Sequence, residues 1–160
     1  MIKKLFIASC IAFSFTSVAQ TQEQDSVFIK KQLKEVQVNA LRATDITPVS
    51  FSNISKQQLE EQNLGQDLPY LLSFTPSVVS TSDAGAGIGY TGFRVRGSDP
   101  TRINVTINGI PLNDSESHGV FWVNMPDFAS SIENIQIQRG VGTSTNGAGA
   151  FGASVNLVTN

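Results

Sequence analysis

Asp114, Glu116 and His118 alternate along the chain. On an extended backbone successive side chains point to opposite faces, so all three would share one side, within reach of a metal ion. Their neighbours Asn113, Ser115, Ser117 and Gly119 describe an exposed loop instead, and the expectation is a solvated loop holding no metal. His118 is the only histidine, and no Gly-x-Ser-x-Gly elbow accompanies any serine, so hydrolytic catalysis finds no assembled nucleophile. Gly147, Gly149 and Gly152 spell the dinucleotide fingerprint G-x-G-x-x-G. That fingerprint works where a helix opens directly after it and an acidic residue follows about 20 positions on. Here "ASVNLVTN" follows, strand-like at Val155, Leu157 and Val158, and the same glycine spacing recurs at Gly87, Gly89 and Gly92. Those glycines need another explanation.

Arg94, Arg96 and Arg139 admit two readings. They are ordinary surface arginines, or planar guanidinium groups that hold carboxylates of a partner surface. The segment Glu35 to Val38 is equally double. Val36 and Val38 alternate with Glu35 and Gln37, as in a tail or in a peptide captured by strand addition.

The elements that must position these residues begin after an export signal. Lys3 and Lys4 precede the apolar run Leu5 to Val18, and Ser17-Val18-Ala19 is a small-residue cleavage site. The run is shorter than the roughly 20 residues of a membrane-spanning helix. Cleavage after Ala19 leaves Gln20 first. Cutting instead at Cys10, lipoprotein-fashion, would leave only Leu5 to Ser9 as apolar core, below the roughly 7–15 residues required. Cys10 thus falls in the removed segment, which excludes disulfides, thiolate catalysis and cysteine-bound metal. Loss of Lys3 and Lys4 takes the 11 basic residues to 9 (11 − 2) against 13 acidic ones. An acidic chain without a basic stripe excludes nucleic acid as a partner.

Residues 20–40 read as a flexible leader, and Arg42 to Phe51, with Pro48, as extended linker. Ser55 with Gln58 forms a capping box, with Ile54 and Leu59 placed for a hydrophobic staple. Gly65 suits the left-handed residue past that helix. A second short helix is predicted from Asp67 through Leu72, with Asp67 as cap and Pro69 in its first turn. Of the 13 glycines, all but Gly65 lie between Gly85 and Gly152. There, short strands alternate with turns: Phe93 and Val95 oppose Arg94 and Arg96, Ile103, Val105 and Ile107 lead into the hairpin signal Asn108-Gly109, and Ile135 and Ile137 alternate with Gln136 and Gln138. The predicted fold is α+β, a small domain over residues 41–160 with a short mixed sheet, two or three short helices and long glycine-rich loops. Amides, hydroxyls and arginines on the outward strand faces suit a wet surface or a polar cavity.

From Leu33 to Asn160 these segments resemble the plug domain of TonB-dependent outer-membrane receptors. "LKEVQVNA" is similar to the TonB box of Bacteroidetes-type members. "DLPYLLSFTPSV" resembles the helix that opens the plug, and "HGVFWVNMPDF" a loop of flavobacterial members. "FRVRGSDPTRINVTINGIPLND" and "SIENIQIQRGVGTSTNGAGAFGASVNLVTN" resemble the family's two central signatures. The resemblance implies a plug that fills the lumen of a membrane-spanning barrel, binds no cofactor, and is remodelled when TonB pulls on the box. It places the box at Leu33, Lys34, Glu35, Val36, Gln37 and Val38. Arg94, Arg96 and Arg139 become plug-to-barrel contacts, and Gly97, Gly109, Gly140, Gly147, Gly149 and Gly152 become plug loop glycines. Its implied partners are TonB, the receptor's own barrel and a transported substrate, commonly a ferric siderophore, at the outer membrane.

A barrel of about 22 strands at about 10 residues each needs on the order of 220 residues, and none of them is here. The expectation is therefore a fragment of a longer receptor, or else a free periplasmic binding module that reuses the plug fold.

Overall fold

The computed structural model describes residues 41–160, residue 148 excepted; the export signal and Leu33 to Val38 lie outside the described residues. Ser55 opens helix α1 (Lys56–Gln62) as the sequence predicts. Its hydroxyl accepts from the Gln58 amide at 3.4 Å, and Gln58 Oε1 accepts from the Ser55 amide at 3.0 Å. Gly65 does hold a left-handed φ of +82°. It belongs, however, to a turn led by Asn63, whose Oδ1 accepts from the Gly65 amide at 2.9 Å. Helix α2 (Leu68–Leu72) starts at Asp67 with Pro69 in its first turn. The Asp67 carboxylate does not cap it. That side chain is buried and accepts from Thr91 Oγ1 at 2.9 Å, which fastens α2 to the strand that Thr91 opens.

The described residues hold seven strands, β1 (Ser50–Ser55), β2 (Val78–Ser82), β3 (Thr91–Val95), β4 (Ile103–Ile107), β5 (Ile110–Pro111), β6 (Ile132–Arg139) and β7 (Ala153–Thr159), of which β3, β4, β6 and β7 follow the alternations read from the sequence. β2 and β3 form an antiparallel pair, and the rest make one mixed sheet in the order β1-β6-β7-β4-β5, with β4 and β7 parallel. Asn108 and Gly109 take φ of +51° and +85°, the two positive values that a tight β4–β5 hairpin demands. β1 corrects the end of the expected linker, Ser50 and Phe51. Its six residues pair with β6, partners 79–89 positions away that no local pattern announces.

Side chains alternate across a strand with period two, and here both faces of the sheet are buried. One is apolar: Ile103, Val105, Ile135, Ile137, Val155 and Leu157 join Leu59, Leu68, Leu71 and Leu72 in a single core. Trp122 extends that core against Phe93, with ring centroids 6.0 Å apart. The other face consists of Gln136, Gln138, Asn156, Thr106 and Ser154, and all are buried too. This polar face, expected from the sequence to suit a wet surface or a polar cavity, is covered by residues 41–44, which cross it as a strap.

The strap is held by side-chain amides. Gln136 accepts from the Ala43 N–H at 2.7 Å and returns a bond to the Ala43 carbonyl at 3.0 Å, as a neighbouring strand would. Gln138 Nε2 donates to the Leu41 carbonyl at 2.7 Å, and Asn156 Nδ2 donates to the same oxygen at 3.3 Å. Arg42 donates to Asn134 Oδ1. Gln136→Leu fills similar space but strands both polar groups of Ala43. It should cost about 3 kcal/mol in urea unfolding and speed tryptic cleavage after Arg42; unchanged stability and cleavage would show that the strap does not depend on this clasp.

Candidate functional site

The loop carrying Asp114, Glu116 and His118 is built around a carboxylate. Asp114 Oδ2 accepts from the amides of Ser117 and Glu116 at 2.7 and 3.1 Å and from the Ser117 hydroxyl at 2.9 Å. These bonds, the Ser117 amide first, hold the Asp114 carboxyl below the usual carboxylate range. Its lone pairs serve the loop, and among the described residues no His, Asp and Glu side chains are grouped to hold a metal. Asn113 fixes the loop to β4: its Oδ1 accepts from the Val105 amide at 2.7 Å, and its Nδ2 donates to the Ile103 carbonyl at 2.9 Å. Sequence reading did not single out Asn113. An Asx-type bond to a strand 8–10 positions back has no local signature.

The loop borders a groove of about 510 Å³ that also takes in Asn104, Asn146, Gly147 and Gly149. Neither run of closely spaced glycines leads into a helix. Gly92 lies within β3 and Gly152 directly precedes β7. Gly87 sits so close under Tyr70 that a Cβ would come within 2.7 Å of the ring. Gly152 is packed against Ser98, whose side chain a Cβ would overlap, while its N–H donates to the Arg102 carbonyl at 2.8 Å. Gly97, Gly109, Gly140 and Gly147 hold positive φ, whereas Gly149 has open space around it.

The arginines separate. Arg94 is half exposed and pairs with Asp99 at 3.3 Å, a surface ion pair of small worth. Arg96 lies beyond the end of β3 in a left-handed turn, φ +52°, exposed and with no carboxylate partner among the described residues. Arg139 spends its donors within the domain. It reaches Ser50 Oγ at 3.0 and 3.2 Å, the Phe51 carbonyl at 3.3 Å and the Pro76 carbonyl at 3.2 Å, tying β6 to β1 and to the entry of β2.

This arrangement has relatives. The family model described as TonB-dependent Receptor Plug Domain matches residues 43–154. The chain belongs to that family. The siderophore receptor PirA from Acinetobacter baumannii is 25% identical over 69% of this chain, with a TM-score of 0.54. A mutant of the ferric enterobactin receptor PfeA from Pseudomonas aeruginosa, solved with enterobactin, gives 22% identity over 71% and a TM-score of 0.55. The ferric yersiniabactin uptake receptor FyuA from Yersinia pestis gives 15% over 74% and 0.51. The last two likenesses are of fold alone. The plug covers 17% or 18% of the length of these receptors. No curated protein matches the chain. Plug families are receptors and not enzymes, which agrees with a glycine fingerprint that serves packing and turns.

Two measurements test this account of the plug's loops. Gly152→Ala forces Ser98 aside and should destabilise the plug by about 1–3 kcal/mol, while Gly149→Ala should stay within about 0.5 kcal/mol; equal effects would break the assignment. Asp114 has a lowered folded pKa, so its contribution is present above the unfolded value of about 3.9 and is lost as pH falls through the folded one. The Ser117 amide resonance should therefore keep its loop position throughout the ordinary aspartate range and move only below it. Movement at or above that range would mean the carboxylate does not organise the loop.

Proposed function

We propose that this chain is the gating plug of an outer-membrane receptor for energised uptake of a large nutrient, with ferric siderophores as the first class to test. The carrying observation is the plug match over residues 43–154. The likeness to the siderophore receptor PirA supports the substrate class. In this reading residues 1–19 direct export, and a barrel supplied by the same receptor encloses residues 41–160. Leu33 to Val38 form the box that TonB takes as an added strand. Arg94 and Arg96, both on the surface, meet carboxylates of the barrel wall. Arg139 works from inside, by holding β1 and the β2 entry to β6.

Force applied at the box travels along the backbone. Leu41 comes three residues after Val38, so the strap is loaded before β1. Its amide bonds to Leu41 and Ala43 can be exchanged for bonds to water one after another, whereas β1 resists with a ladder of six paired residues. Once β1 leaves, Arg139 loses Ser50 and Phe51, and of its bonds among the described residues only the one to the Pro76 carbonyl remains.

Captured strands are held by backbone bonds, and proline removes the N–H and fixes φ. Alternate residues of an edge point their amides toward and away from a partner. With this plug grafted into a barrel-bearing receptor, at least one of Val36→Pro and Gln37→Pro should abolish TonB-dependent accumulation while substrate still binds whole cells. Glu35→Ala should be mild. Normal accumulation by both proline variants would remove Leu33 to Val38 from the role.

A further inference from the structure

The buried amides set one another's direction, and the direction ends at the groove. Leu41 offers a carbonyl to the strap face, so the Gln138 group facing it must be Nε2. Gln138 Oε1 then faces Asn146, whose Nδ2 donates to it at 3.0 Å. What remains of Asn146 is an acceptor. Its Oδ1 is buried and has no hydrogen-bond partner among the described residues, in a side chain only 3% exposed. Turning the Asn146 amide over would set oxygen against oxygen at Gln138, so the backbone of the strap forbids it. A buried acceptor without a donor costs about 1–3 kcal/mol, and such groups call for a partner.

Asn146 lines the groove together with Asn104, which is 8% exposed and whose carboxamide makes no hydrogen bond among the described residues. Among the described residues no Lys or Arg lines the groove, and Asp114 contributes a carboxylate to it. Arg102 lies in an adjoining recess of about 290 Å³ with Phe151.

Resting on the plug reading, we propose that this groove binds uncharged hydrogen-bond donors of the transported molecule, hydroxyl or amide N–H, and rejects anionic oxygens. The substrate then meets this plug with a neutral, donor-bearing face. A saccharide and a neutral ferric hydroxamate both carry such donors; a ferric catecholate presents anionic oxygens that Asp114 and the Asn146 carbonyl repel.

The test is titration of the isotope-labelled exported chain with maltotriose, with a neutral ferric trihydroxamate (gallium in place of iron for the resonances) and with the gallium form of an anionic tricatecholate. Either neutral probe should shift the Asn104 and Asn146 carboxamide resonances, and which one does so identifies the source of the donors. Asn104→Ala, which breaks no side-chain bond among the described residues, should weaken that binding about fivefold, the equivalent of one hydrogen bond. A response to the catecholate alone, a response to none of the three, or unchanged binding in Asn104→Ala would overturn the proposal. Energised uptake by the grafted receptor is scored separately, so a silent groove in a receptor that still transports would remove this inference and leave the plug reading standing.

Discussion

The bond between Gln136 and Ala43 is the constraint on which much else depends. A glutamine side chain can imitate a peptide group, donating and accepting in parallel, and here it adds the strap to the sheet without adding a strand. Because its oxygen is committed to the Ala43 N–H, the Gln136 amide has one orientation, and Gln138 Nε2 donates to that same oxygen at 3.0 Å. Asn53 Oδ1 takes the second Gln136 proton at 2.9 Å, which brings β1 into the same lattice. The backbone of three residues thus fixes the polarity of the sheet's whole amide face.

A face of this kind behaves differently from the apolar one opposite. Removing an apolar cover exposes area to water at roughly 25 cal/mol per Å² and nothing replaces the loss. Removing the strap uncovers amides that water can satisfy bond for bond, so the net change is far smaller than the number of bonds suggests. The plug therefore carries a durable face, built by Ile135, Ile137, Val155 and Leu157 against the two helices, and a face that opens into a polar cleft. That division suits the gating role proposed above.

Local chemistry was the legible part of the sequence. The Ser55–Gln58 capping box, Pro69 in the first turn of α2, the Asn108-Gly109 hairpin and the period-two strands all involve partners a few residues apart, and they are where the pattern puts them. Arg42 to Phe51, which hold most of the strap and the start of β1, were read as linker because their partners lie about 90 positions on, in Gln136, Gln138 and the β6 ladder. The face of Gln136 and Gln138 was left open between a wet surface and a polar cavity for the same reason: alternation says which residues share a face, not what covers it. Asp67 shows the limit from the other side. It stands at a cap position, yet tertiary contact with Thr91 takes its carboxylate away from the helix end. Trp122 went unremarked inside its loop, although it is the residue that carries the loop into the core beside Phe93.

The glycine fingerprint shows why spacing alone misleads. In a dinucleotide site the three glycines serve a turn, a close approach to pyrophosphate and the packing of a helix on a strand. Here Gly147 holds a left-handed φ of +78°, Gly149 borders the groove, and Gly152 lets the loop close on Ser98 and Arg102 just before β7 begins. Two of the three geometric demands, the turn and the close packing, are thus met by other partners. Gly149 has open space where a side chain would stand. The same letters arise because the demands on the backbone are alike; the element that follows them decides the chemistry, and in this chain it is a strand whose inner residues complete the amide lattice through Asn156.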